Sequence, residues 1–210
     1  AWIGMLTTFM IVIPWELVNW GIQLSIVQVV WLSMLAFMTV TVLSRNRINL
    51  PRIAILFLGA FYIGIGFYAM LAIRLDDQFG LIWSFFVFAC IWATDSGAYL
   101  AGRMFGNRLL WPAISPKKTI EGAAGGILLS VIAAIIFVLL FPEQFTWSKA
   151  LMIGFLIACF AQLGDFIQSA YKRAAKIKDT GKILPGHGGI LDRCDSWLIV
   201  FPMIYILFGG

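Results

Sequence analysis

Residues 122–141 read GAAGGILLSVIAAIIFVLLF, a run of twenty residues without one charge. In helical form, at about 1.5 Å per residue, it reaches about 30 Å, the thickness of a bilayer's hydrocarbon core. Runs 22–43 and 53–73 are equally free of charge. Lipid offers no hydrogen bonds, so such segments must satisfy their backbone internally, as helices do. Charged residues make up 12% of the chain, about half the share usual in soluble domains. The chain therefore reads as an integral membrane protein of all-α class, a polytopic transmembrane helical bundle with no nucleic-acid partner.

Hydropathy places spans at 1–13, 20–43, 53–73, 79–101, 121–141, 149–171 and 195–208. The chain opens at Ala1 inside one apolar run and closes at Gly210 after another. The expectation is a portion of a longer protein, with the first and last spans cut short. Cys90, Cys159 and Cys194 lie in or beside apolar runs without a shared loop; they read as small apolar fillers rather than a disulfide framework or zinc site.

The connections sort by charge. Segments 44–52, 102–120 and 172–194 hold 13 of the 15 Lys and Arg residues. Every second connection is basic, which sets those three on the cytoplasmic side. For 44–52, topology explains the charge, since it has no acids or glycines. The expected division is 1–101, N-terminal spans, and 102–210, a catalytic membrane region with cytoplasmic loops.

Some polar residues are not needed for topology. Asp95 and Asp165 lie within apolar runs, in IWATDSGAYLAGR and FAQLGDFIQSAYKR. A carboxylate there is costly and normally faces a cavity or a partner. Asp165 could serve a structural ion pair. Yet Ser169 and Lys172 follow it at offsets of four and seven, on one helical face. Carboxylate and hydroxyl oxygens suit a hard cation such as Mg²⁺, and Lys suits a phosphate.

Downstream, Pro185-Gly186-His187-Gly188-Gly189 forces a turn or loop, followed by Asp192, Arg193 and Asp195. Gly186, Gly188 and Gly189 would let backbone N–H groups approach a phosphate. Asp192 and Asp195 would share a face if the last span starts helical, though one of them could simply cap that helix. His187, the only His, reads as a hydrogen-bonding group or a base; zinc is disfavoured. In SPKKTIEG, residues 115–122, Ser115, Lys117 and Lys118 admit two readings. One is topology plus a helix cap, with Pro116 in the first turn. The other is a phosphate clamp. Acids for a metal with cations and glycines for phosphates, at a cytoplasmic membrane boundary, suit phosphoryl or nucleotidyl transfer to a lipid.

The run Ser169-x-x-Lys172-Arg173-x4-Lys178-Asp179-x-Gly181, then Pro185-Gly186-His187-Gly188-Gly189-x-x-Asp192-Arg193-x-Asp195, resembles the signature of the phosphatidate cytidylyltransferases. WATDSGAY and SPKKTIEG look like further blocks of that family; Tyr171 and Cys194 stand where an aliphatic residue is more usual. The resemblance implies an all-helical membrane enzyme, usually a homodimer. It would convert CTP and phosphatidate to CDP-diacylglycerol and pyrophosphate with Mg²⁺ and a possible second cation. Carried over by position, Asp165, Asp192 and Asp195 are the metal candidates. Ser169, Lys172 and Arg173 would line the same pocket, with His187 and Arg193 beside them. The alternatives are a CTP-dependent polyprenol or phytol kinase, against which PGHGGxxDRxD argues, and a cation-coupled transporter using Asp95 and Asp165.

Overall fold

The computed structural model describes residues 2–13, 25–76, 78–181 and 188–208. Pro185, Gly186 and His187, and the expected first connection, lie outside the described residues. Among them the chain forms helices α1 (Trp2–Val12), α2 (Ile26–Leu43), α3 (Leu50–Arg74), α4 (Gly80–Phe105), α5 (Ile120–Leu140), α6 (Trp147–Ala174) and α7 (Trp197–Phe208). Two short strands, β1 (Leu109–Trp111) and β2 (Ser115–Thr119), pair antiparallel between α4 and α5.

Among the described residues four helices, α3 to α6, are long and apolar enough to cross a membrane, at 25, 26, 21 and 28 residues. The expectation of about seven spans, the first and last of them cut short, is thus met among the described residues by four helices of spanning length and three shorter apolar ones. On their described lengths α1 and α7, at 11 and 12 residues, reach only about 16–18 Å.

Two compact units make up the chain, residues 1–72 and 73–210; the division expected at 101 falls inside α4. In the first unit Phe37, Ile53 and Ala60 form a small core with Ile3, Val40, Ile48 and Phe57 around it. Ser25 caps α2 through a reciprocal box with Gln28, which satisfies two backbone donors that the first turn leaves open.

The second unit is built on α4 packed along α5, with α6 against both and α7 against α6. Phe86, Ile91, Ile153, Ile157 and Phe201 are almost wholly buried there. The α4–α5 crossing is close because both helices place glycine at the contact. A Cβ on Gly97 would overlap the carbonyl oxygen of Gly125, and one on Gly125 would overlap Ala101 Cβ. Gly97→Leu is therefore expected to force the helices apart at a cost of about 1–3 kcal/mol or more. The check is a loss of monodisperse protein in detergent size exclusion and a lowered melting temperature.

The hairpin corrects one sequence reading. Pro116 does not lie in the first turn of a helix; it belongs to strand β2. The cap of α5 is Thr119, whose Oγ1 accepts from the N–H of Gly122 at 3.1 Å. Glu121 in the first turn of α5 also accepts from the N–H groups of Asn107 and Arg108, each at 3.2 Å. That clamp anchors the start of the hairpin to the helix that follows it.

Candidate active site

A cavity of about 530 Å³ lies in the second unit, enclosed by α4, the β1–β2 hairpin, α5, α6 and the turn before α7. Each element delivers particular groups to it. Asp95, Tyr99, Gly102 and Arg103 come from one face of α4, Lys117 and Lys118 from β2, and Gln162 and Asp165 from α6. Asp192, Arg193 and Asp195 come from the turn. The cavity thus carries four carboxylates and four cations in its wall.

Two of the expected roles are held by contacts between these elements. Lys118 Nζ donates to Asp165 Oδ2 at 2.5 Å, and Ser196 Oγ donates to Asp165 Oδ1 at 3.2 Å. The structural ion pair considered for Asp165 is therefore present, and its partner is one of the two lysines of SPKKTIEG. Gly164 lets the turn lie this close to α6, since a Cβ there would stand 2.8 Å from the carbonyl oxygen of Asp195.

The face Asp165–Ser169–Lys172 exists, because α6 is helical throughout, but only Asp165 of the three lines the cavity. Lys172 Nζ instead donates to Asp192 Oδ1 at 2.9 Å. The other oxygen of Asp192 accepts from Thr180 N at 2.8 Å, Thr180 Oγ1 at 2.9 Å and Gly189 N at 2.9 Å. Burial opposes ionisation of Asp192, but the Lys172 ammonium and the donors of Gly189 and Thr180 outweigh it and hold the carboxyl well below the usual range. Gly188, at φ 82, would carry a Cβ 2.8 Å from Asp192 Oδ2. The two described glycines of the loop thus wrap a carboxylate of the chain itself.

The start of the last span is not helical. Residues 191–196 are turns, and α7 begins at Trp197. Asp192 and Asp195 share the cavity through this turn rather than through a helical face. Burial, and then repulsion from Asp165, push the carboxyl of half-buried Asp195 above the usual carboxylate range. Ser115, Ser169, Arg173, Gly188 and Gly189 are not part of the cavity wall. Gly186 and His187 lie outside the described residues.

The wall also holds Asp95, to which the sequence reading gives a role only in the transporter alternative, and Arg103, which counts there as a topology charge. Their signal was available: Tyr99 and Gly102 follow Asp95 at four and seven, the spacing of one helical face. Ser196 and Thr180, which hold Asp165 and Asp192, carried no such signal. Among the described residues the ion pairs are Lys118–Asp165 and Lys172–Asp192. Arg103, Lys117 and Arg193 therefore stand in the wall without an acid of the described chain bonded to them.

The donor chemistry suits Mg²⁺ in a particular way. Among the described residues no group of three or more His, Cys, Asp or Glu side chains is placed to hold a metal by itself. Mg²⁺ does not need one: it keeps waters and is commonly bound by one or two carboxylates plus substrate phosphates. Asp195 and Asp165 suit that requirement, although each oxygen of Asp165 carries one donor, from Lys118 and Ser196; Asp192 is set apart by four donors, three of them on one oxygen.

Residues 1–209 match the sequence model of the cytidylyltransferase family. The chain belongs to that family. Among curated relatives, it is 42% identical to the phosphatidate cytidylyltransferase of Bacillus subtilis over 206 residues, 98% of this chain and 77% of that protein. It is 38% identical to that of Staphylococcus haemolyticus over 202 residues, 96% of this chain and 76% of the other. With that of Staphylococcus aureus it shares 40% identity over 191 residues, 89% of this chain and 72% of the relative. The cavity of this cytidylyltransferase-family chain draws on the WATDSGAY and SPKKTIEG blocks as well as on the long C-terminal signature. All three meet at one place.

Proposed function

We propose that the protein is a phosphatidate cytidylyltransferase, which joins CTP and phosphatidate to give CDP-diacylglycerol and pyrophosphate. The observation that carries this reading is a cavity with carboxylates and with cations that no described carboxylate pairs, cut into the apolar helices of a cytidylyltransferase-family chain. A lipid phosphate reaches such a place from the bilayer, and a nucleotide from water.

A phosphate oxygen of phosphatidate bonds to the α-phosphorus of CTP as the bond from that phosphorus to pyrophosphate breaks. Both reactants are anions and repel each other. Arg103, Lys117 and Arg193 offset that repulsion and hold the phosphates in line, the arginines with two parallel N–H donors each. Asp165 and Asp195 would hold Mg²⁺, which when bound supplies neutralisation of phosphate charge. Asp192, tied to Lys172, Thr180 and Gly189, keeps the turn and Arg193 in place. Ser115, Ser169, Arg173, Gly186 and His187 enter this reading from the sequence alone, and a homodimeric assembly through the resemblance. The cytoplasmic orientation is supported by the meeting of two basic connections at the cavity, Lys117 and Lys118 from one and Arg193 from the other.

The test uses purified protein in mixed micelles with phosphatidate and CTP labelled at the α-phosphate. Label is expected in a CDP-lipid; EDTA abolishes the transfer and excess Mg²⁺ restores it. Transfer of the γ-phosphate to a polyprenol, with no CDP-lipid, would replace this reading with a lipid kinase.

A further inference from the structure

Both oxygens of Asp165 are engaged, Oδ2 by Lys118 Nζ at 2.5 Å and Oδ1 by Ser196 Oγ at 3.2 Å. The Lys118 ammonium also stands 4.5 Å from the centroid of the Phe166 ring, the residue next to its carboxylate. The two side chains of the pair are 29% and 26% exposed, and both face the cavity. A pair only partly withdrawn from water, with both members facing the cavity, is placed to change partners when a ligand enters. Lys is suited to the change: its charge sits on a flexible stem with three donors that need no fixed plane. Among the described residues, Lys118 is the one cation of the cavity wall that an acid neutralises by contact.

We propose that Lys118 is an exchangeable counter-ion. It occupies Asp165 when the cavity holds no nucleotide. When a divalent cation takes the carboxylate, Lys118 passes to a phosphate of the incoming nucleotide. The proposal rests on the assignment of Asp165 to a cation made above. It gives Lys118 a positioning role with a consequence for binding. A cation arriving alone must displace an ammonium that then has no partner. One arriving with a triphosphate leaves that ammonium a better one. Cation and nucleotide therefore each strengthen the other's binding, as linkage requires.

The test needs no turnover. Mn²⁺ is titrated by electron paramagnetic resonance into the purified full chain in detergent, without nucleotide or lipid substrate. Lys118→Met is expected to tighten Mn²⁺ binding about fivefold or more, because Asp165 is released. Lys117→Met removes the same charge from the same wall without touching Asp165, and is expected to change the affinity less than twofold. Lys118→Arg keeps the counter-ion and should stay near the parent value. If Lys118→Met does not fold, Lys118→Gln replaces it. Equal tightening by Lys117→Met and Lys118→Met would reduce the effect to bulk charge and overturn the exchange. So would unchanged affinity in Lys118→Met. Asp165→Asn separates the two layers. If it weakens Mn²⁺ binding while Lys118→Met does nothing, the cation assignment stands and only the exchange fails. If it leaves Mn²⁺ binding unaltered, the assignment fails and takes the exchange with it.

Discussion

Asp165→Asn is expected to lower CDP-diacylglycerol synthesis by about a thousandfold or more, with the protein still inserted and monodisperse. The amide has the shape of the carboxylate and can still accept from Ser196, so α6 and the turn beside it keep their packing. It loses the charge that pairs with Lys118 and that would hold a divalent cation against the phosphates. Losing about 4 kcal/mol of transition-state stabilisation, a typical scale for one well-placed electrostatic group, corresponds to about a thousandfold in rate. The measurement is lipid-product formation at saturating CTP and Mg²⁺, beside the size-exclusion profile. Turnover within tenfold of the parent would remove Asp165 from the reaction and leave it as a structural ion pair.

The second large effect is on the fold of the loop rather than on the chemistry. Asp192→Ala should destabilise residues 178–181 and 188–195, the described segments that its carboxylate joins. The Asp192 side chain is 5% exposed and that of Lys172 is 19% exposed. Removing the carboxylate leaves that ammonium, the N–H groups of Thr180 and Gly189 and the Thr180 hydroxyl without their acceptor. Breaking a buried pair by deleting one partner costs about 3–5 kcal/mol. Asp192→Asn keeps one carbonyl acceptor and should lose less. The readout is protease cleavage within 178–192 and the melting temperature in detergent. Parental resistance in the alanine variant would mean that the network does not hold the loop. Since its partners favour the ionised form, the contribution of Asp192 is fully present above the ordinary carboxyl value of 3.8. It disappears only as pH falls through the depressed one.

Gly188 acts through the same network. Its positive φ and the 2.8 Å approach of Asp192 Oδ2 to a built Cβ explain why this position carries no side chain. At Gly188 only a residue without a Cβ fits. What the described part of the loop approaches is an aspartate of the chain, which no local pattern of glycines could name.

Much of this protein was determined by sequence alone. Uncharged runs of twenty residues drive the backbone in lipid into helices, and α3 and α5 follow two of them closely. Helical periodicity placed Asp165, Ser169 and Lys172 on one face, and that face exists. Only the tertiary structure decided which of those groups meet. Lys118 and Asp165 are separated by 47 residues, and Lys172 and Asp192 by 20. Neither pairing repeats with any period, because each depends on a turn or hairpin whose path is set by contacts elsewhere. The β1–β2 hairpin was not anticipated, since SPKKT lacks the alternation of a buried strand and its pairing is short and irregular. The close α4–α5 crossing brings Asp95 to the cavity, and it depends on glycines of two helices meeting each other. Periodicity fixes what one element presents to its surroundings; packing between elements decides what it is presented to.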